Sequence, residues 1–181
     1  MKAFYFKHVL KFKTPGWTSR GVLNDKESWF IVIADQKKFG VGECSLIEGL
    51  SPDPVMGFEK KLEEICAEIK SGFEVLEKKL NDFPSILFGL ETAFNSFYSK
   101  NPFVFTNSKL QNGKDHININ GLIWMGKKSF MQDQIKEKIE SGFHCIKIKV
   151  GSLDFDQECD ILKNIRSHYS SNDVEIRLDA N

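Results

Sequence analysis

Cys145-Ile146-Lys147-Ile148-Lys149-Val150 is followed, after a helix-length interval, by Val174-Glu175-Ile176-Arg177-Leu178-Asp179. These two runs decide the reading of the fold. Side chains alternate across a strand. Ile146, Ile148 and Val150 therefore share one face of the first run, and Cys145, Lys147 and Lys149 the other. In the second run Val174, Ile176 and Leu178 oppose Glu175, Arg177 and Asp179. Between them Phe155, Cys159, Leu162, Ile165 and Tyr169 mark a helix. Upstream, Ile117 to Ile123 reads as a strand, with Ile117 and Ile119 opposing Asn118 and Asn120. Ser129 to Glu140 reads as a helix, with Met131, Ile135 and Ile139 on one face and Lys136–Glu140 as an exposed pair. Ser141-Gly142 ends it. Strand, helix, strand, helix, strand is the grammar of parallel βαβ units.

Each of these strands is apolar on one side and mostly polar on the other. Two architectures allow that. In a half-exposed sheet the polar side faces water. In a βα barrel the apolar side packs on helices and the polar side points inward. An ordinary barrel interior is filled with branched apolar residues, so a charged interior needs a metal or a substrate to justify it. The pattern alone leaves both open.

The first hundred residues follow another grammar. Lys2 to Phe12 is strand-like, Thr14-Pro15-Gly16 is a turn signal, and Trp29 to Ala34 is a β-branched and aromatic strand. Gln36-Lys37-Lys38 then turns into Phe39 to Cys44. Gly49-Leu50-Ser51-Pro52-Asp53 is a loop able to cap the following helix. Phe58, Leu62, Ile65, Cys66 and Ile69 give one helical stripe. Pro84 opens a second helix, with Ile86, Leu87, Leu90, Phe94 and Phe97 on one face. The expected organisation is an α+β domain over residues 1–110 and a βα domain over 111–181.

Lys plus Arg and Asp plus Glu number 25 each, so charge gives no support for nucleic acid or a membrane surface as partner. No apolar run approaches the ~18 residues of a membrane span, and the start at Met1 is too interrupted for a signal peptide. Cys44, Cys66, Cys145 and Cys159 form no C-x-x-C pair and no metal-type spacing. Cys66 and Cys159 fall at apolar helical positions, and a reducing cytoplasm fits them best.

Lys147 and Lys149 are candidate catalytic groups. Deprotonating a carbon acid next to a carboxylate needs a base within reach and a cation to hold the enolate charge. A lysine becomes that base through desolvation or a neighbouring positive charge. The two lysines stand about 7 Å apart at their bases. Asp179, at the end of the next strand, can give oxygen to a hard cation. Taken alone, a K-x-K pair is a common feature of lysine-rich proteins.

The order of parts is more specific than any one part. Ile146-Lys147-Ile148-Lys149-Val150-Gly151, followed by Leu178-Asp179-Ala180-Asn181, resembles the enolase superfamily in its muconate-lactonizing branch. Gly42-Glu43-Cys44-Ser45, Gly49-Leu50-Ser51-Pro52-Asp53 and Asn120-Gly121-Leu122-Ile123-Trp124-Met125-Gly126 resemble o-succinylbenzoate synthases of menaquinone biosynthesis, and Phe88 to Ala93 resembles the family's last cap helix. The resemblance implies an α+β capping domain followed by the first βα units of an enolase-like (β/α)-barrel, incomplete in this chain. It implies Lys149 as acid/base, Lys147 as its electrostatic support and carboxylate contact, and Asp179 as the first of three metal carboxylates. Asn181 would sit near substrate or metal, and Arg20 would contact substrate. The cap segments Pro15–Val22 and Ile47–Asp53 would close over the substrate. The implied reaction is dehydration of a hydroxy-cyclohexadiene carboxylate through an enediolate stabilised by Mg²⁺ or Mn²⁺. Muconate cycloisomerases, dipeptide epimerases and N-succinylamino acid racemases share the same signatures. A non-catalytic α/β module is the reading outside enzymology.

The family also needs two more carboxylates and a lysine on later strands. The stretch after Asp115 is far shorter than the ~250 residues of a typical barrel. The expectation is therefore a fragment, inactive by itself, of a cytoplasmic lyase that takes a small carboxylate substrate. His8, His116, His144 and His168 are scattered, without metal-ligand spacing. Trp17, Trp29 and Trp124 read as core or interface. Glu43 reads as a cap–barrel contact, and Glu175 with Arg177 as a buried ion pair or a substrate contact. Gly40-x-Gly42 lacks the rest of a dinucleotide fingerprint.

Overall fold

Two long strands open the chain: β1 (Lys2–Thr18) and β2 (Gly21–Ala34) form an antiparallel hairpin, and β3 (Phe39–Cys44) adds to β2 in the order β1-β2-β3. The computed structural model describes residues 1–18, 21–104, 108–111, 113–151 and 153–180, leaving the Trp17 and Thr18 side chains aside. Thr14-Pro15-Gly16 does not turn the chain, contrary to expectation. β1 runs through it, and the register shifts between Lys11, opposite Asp25, and Gly16, opposite Leu23. Pro15 lacks an N–H, but β1 is an edge strand, where that loss is tolerated and a bulge absorbs the extra residues. The turn after β2 is held by Asp35, whose Oδ1 accepts from the N–H groups of Lys37 and Lys38 at 2.8 and 3.1 Å. These two bonds hold the Asp35 carboxyl below its usual range.

The inner face of this sheet carries Trp29, Ile31, Ile33 and Cys44 and is covered by helices α1 (Phe58–Ala67) and α3 (Pro84–Tyr98). A short helix α2 (Phe73–Leu76), flanked by 3₁₀ turns, lies between them in sequence. α1 buries Phe58, Leu62, Ile65 and Cys66, and α3 buries Ile86, Leu90, Ala93, Phe94 and Phe97, as the helical spacing predicts. Trp29 lies in this core and donates its indole N–H to Glu59 at 3.0 Å. Gly40-x-Gly42 has a packing role. A Cβ on Gly42 would stand 1.8 Å from the Gly89 carbonyl oxygen, so β3 and α3 meet backbone to backbone.

The loop ending at Asp53 caps a helix, but not the one that follows it. Asp53 is 5% exposed and accepts from the Ser85 N–H at 2.8 Å and its hydroxyl at 2.7 Å, in the first turn of α3. A carboxylate there meets the positive end of the helix dipole. α1 starts from Gly57 with no side-chain cap.

The chain divides into the units Met1–Asp115 and His116–Asn181. The second unit is β4 (Gly121–Ile123), α4 (Lys128–Glu140), β5 (Cys145–Lys149), α5 (Phe155–His168) and β6 (Glu175–Asp179). Its strands are parallel in the order β4-β5-β6. Ile123, Met131, Ile135, Ile146, Ile148, Ile161, Ile165 and Val174 form its core. The strand expected from Ile117 is only three residues long. β5 begins at Cys145 and Gly121 already pairs with Ile146, so residues 117–119 have no ladder to join there, and Ile117 and Ile119 are exposed. In α5 the buried stripe is Ile161 and Ile165, with Leu162 and Tyr169 at its edge. Phe155, expected on that stripe, is exposed at the first turn, and Cys159 is half-buried. Leu178, expected on the packed face of β6, is also exposed.

Candidate active site

Lys149 is the last residue of β5 and Asp179 the last of β6, and the two are paired in the ladder. Beyond them the Val150 N–H donates to the Asp179 carbonyl at 2.9 Å, which fixes the strand ends side by side. Burial of Ile146 and Ile148 against the helices sends Lys147 and Lys149 to the opposite face, where Asp179 also points. There Asp179 Oδ2 lies 2.9 Å from Lys147 Nζ and 3.9 Å from Lys149 Nζ. The side chains are 39%, 21% and 26% exposed for Lys147, Lys149 and Asp179. Two ammonium groups thus converge on one carboxylate oxygen at the carboxyl ends of parallel strands, the end where α/β folds place their sites.

Arg177 and Glu175 occupy the same face one and two rows below Asp179. Arg177 Nε meets Glu175 Oε1 at 2.7 Å, with both side chains more than half exposed. The ion pair is therefore exposed rather than buried. The Glu175 contact raises the guanidinium above its ordinary range.

Three residues organise the loops at this end, of which sequence reasoning missed Glu158 and Gln134. Glu158 Oε1 accepts from the Gly151 N–H at 2.7 Å and the Leu153 N–H at 3.2 Å, tying the loop after β5 to α5. Trp124, read as core or interface, is the first residue past β4 and lies under the Lys149 ammonium, 5.6 Å from Nζ to the ring centroid. Gln134 of α4 holds the Trp124 backbone at both polar groups. No local signal marks Glu158 or Gln134 for these contacts, and Trp124 stands in a recognisable motif whose partner, Lys149, lies on another element.

In the first unit, Glu43 Oε1 accepts from the Ser28 hydroxyl at 2.8 Å and from Lys26 Nζ at 3.3 Å, so it is engaged within its own sheet. Arg20 and Asn181 lie outside the described residues. Among the described residues no three His, Cys, Asp or Glu groups gather as a metal site. Asp179 brings one carboxylate to these strand ends, and its oxygen already attracts two cations. No helix of the described residues is long and apolar enough to cross a membrane.

No family model matches the chain. It is 34% identical to the o-succinylbenzoate synthase of Desulfotalea psychrophila (strain LSv54 / DSM 12343), over 100% of this chain and 58% of that protein. The crystal structure of MenC from Desulfotalea psychrophila LSv54 matches with a TM-score of 0.79 at 31% identity, over 100% of this chain and 57% of that one. The o-succinylbenzoate synthase of Thermosynechococcus elongatus BP-1, solved with Mg in its active site, shares the fold with a TM-score of 0.75 at 19% identity, over 100% and 52%. The chain thus spans a little over half the length of the relatives it matches.

Proposed function

We propose that the chain belongs to the enolase superfamily, in its muconate-lactonizing branch, and forms the α+β capping domain and first barrel strands of an o-succinylbenzoate synthase, a reading supported by its 34% identity to one such enzyme and the shared fold. The reaction is loss of water from a hydroxy-cyclohexadiene carboxylate to give the aromatic succinylbenzoate, in menaquinone biosynthesis in the cytoplasm. The observation that carries this reading is the meeting of Lys147, Lys149 and Asp179 at adjacent strand ends.

In this reading Lys149 takes the proton on the carbon next to the substrate carboxylate. It then returns that proton to the departing hydroxide, so a single group serves as base and acid. Lys147 presents a cation two residues away on the same face, which favours the neutral amine at Lys149, and meets the substrate carboxylate. Asp179 supplies a hard anionic oxygen, the donor type that suits Mg²⁺ or Mn²⁺. When bound there, such an ion supplies positive charge next to the substrate carboxylate, where negative charge builds as the proton leaves. Arg20 and Asn181 are proposed as further substrate contacts on the strength of the sequence alone. The 181-residue chain by itself is proposed to be inactive, because a single carboxylate is a weak holder of a hard dication.

The test is turnover of the cyclohexadiene substrate by the enzyme at the relatives' full length, followed by ultraviolet absorbance as the ring becomes aromatic. Lys149→Ala is expected to lower kcat by about 10²- to 10⁴-fold, the range for losing a general acid–base group. Undiminished turnover in that variant refutes the assignment.

A further inference from the structure

We infer that Trp124 is a positioning residue for Lys149, and that Gln134 holds Trp124 in place to do so. The inference rests on the reading of Lys149 as the acid/base. A lysine carries its amine on a flexible four-carbon stem, and proton transfer needs that amine at one place. On one side the Lys149 ammonium meets Asp179 Oδ2 at 3.9 Å, the outer limit of an ion pair. On the other it stands over the Trp124 ring at 5.6 Å, within cation–π range. The indole face thus forms the wall opposite Asp179, and the amine sits between the two.

Trp124 has no strand to hold it, since β4 ends at Ile123. Gln134 supplies what a neighbouring strand would. Its Oε1 accepts from the Trp124 N–H at 3.0 Å, and its Nε2 donates to the Trp124 carbonyl at 3.2 Å. The same Nε2 reaches the Phe130 carbonyl at 3.3 Å, one turn earlier on α4. Gln134 is itself fixed, because Met131 and Ile135 anchor α4 in the core. The indole is 37% exposed, so it is not there to fill the core. The chain of contacts runs from the core through α4 to Gln134, to the Trp124 backbone, and by its ring to Lys149.

The test uses the full-length enzyme. Trp124→Leu and Gln134→Met are each expected to lower kcat about 10- to 100-fold, the scale of a misplaced catalytic group, with KM changed less than about twofold. Trp124→Phe keeps an aromatic face and is expected to recover most of the loss. A second readout needs no turnover. An ammonium held against an indole alters its emission, so Lys149→Met should change tryptophan fluorescence when Trp124 is present and leave it unchanged in the Trp124→Leu background. Gln134→Met should shrink that change, and it carries the same prediction if Trp124→Leu fails to fold. Wild-type kcat in Trp124→Leu or Gln134→Met, or fluorescence indifferent to Lys149→Met, overturns the inference. If the wild-type enzyme lacks the proposed activity but the fluorescence coupling is present, the function fails and the Trp124–Lys149 contact stands.

Discussion

Replacing Asp179 by Asn separates a structural ion pair from a ligand for a cation. Asp179 Oδ2 meets Lys147 at 2.9 Å and Lys149 at 3.9 Å, but all three side chains keep 21% or more of their surface in water. Pairs of that exposure contribute about 0–1 kcal/mol. Without added metal, Asp179→Asn should therefore unfold within about 4 °C of the wild type at full length. Magnesium should act in the opposite sense. A ligand at 100 times its Kd stabilises the folded state by about 2.7 kcal/mol, several degrees for a protein of that size. The variant should lose this increment together with turnover. Thermal unfolding with EDTA and then with millimolar Mg²⁺, recorded beside the activity assay, measures both. The reasoning is wrong if Asp179→Asn loses more than 10 °C in EDTA, since the carboxylate would then be structural. It is equally wrong if the magnesium-dependent rise survives the substitution.

Three further perturbations test the architecture. Gly42→Ala places a Cβ 1.8 Å from the Gly89 oxygen and 2.6 Å from Thr92 Oγ1. It must push α3 off β3, at a cost of roughly 3 kcal/mol or more by urea denaturation. Asp53→Ala removes two charge-assisted hydrogen bonds from the start of α3, at about 2–3 kcal/mol, and Asp53→Asn, which keeps an acceptor, should cost less. Burial pushes the Cys44 thiol up from 9.0 to about 12. A raised thiol means the folded state retains its proton longer, so its contribution is full below about 9 and is lost as pH climbs from 9 towards 12. Cys44→Ala should flatten that part of the stability–pH curve, and alkylation with mass spectrometry at pH 8 should leave Cys44 unmodified in the native protein.

The parallel βα order was legible because both of its signals are local. Alternation places Ile146 and Ile148 inward, and helical spacing places Met131 and Ile135 against them. What failed depended on partners remote in sequence. Ile117 and Ile119 alternate correctly, yet a strand needs a neighbour to bond with, and β5 starts too late to serve them. Pro15 reads as a turn, but an edge strand with a bulge accommodates it. Asp53 carries a capping side chain, and the residue it caps, Ser85, lies 32 residues later. In α5 the apolar residues outnumber the stripe that packs, so Phe155 was placed on a face the core does not reach.

The same division runs through the site. Period two is enough to put Lys147, Lys149 and Asp179 on one face, but it does not say that both amines share a single oxygen, nor that an indole backs the second amine. Those contacts come from the ladder that pairs Lys149 with Asp179 and from the way α4 presents Gln134. Charge then states what the trio needs. With Lys149 as the neutral base, the Lys147 ammonium and the Asp179 carboxylate balance; with Lys149 protonated the trio carries one net positive charge, which suits an anionic substrate. A divalent cation there would leave the strand ends positive even after a substrate carboxylate arrives, and converging like charges on partly buried groups are costly. The proposed metal centre is therefore expected to draw further anionic side chains around Asp179. Grafting acidic residues beside it should raise magnesium affinity, whereas removing Lys147 should relieve the repulsion but weaken substrate binding.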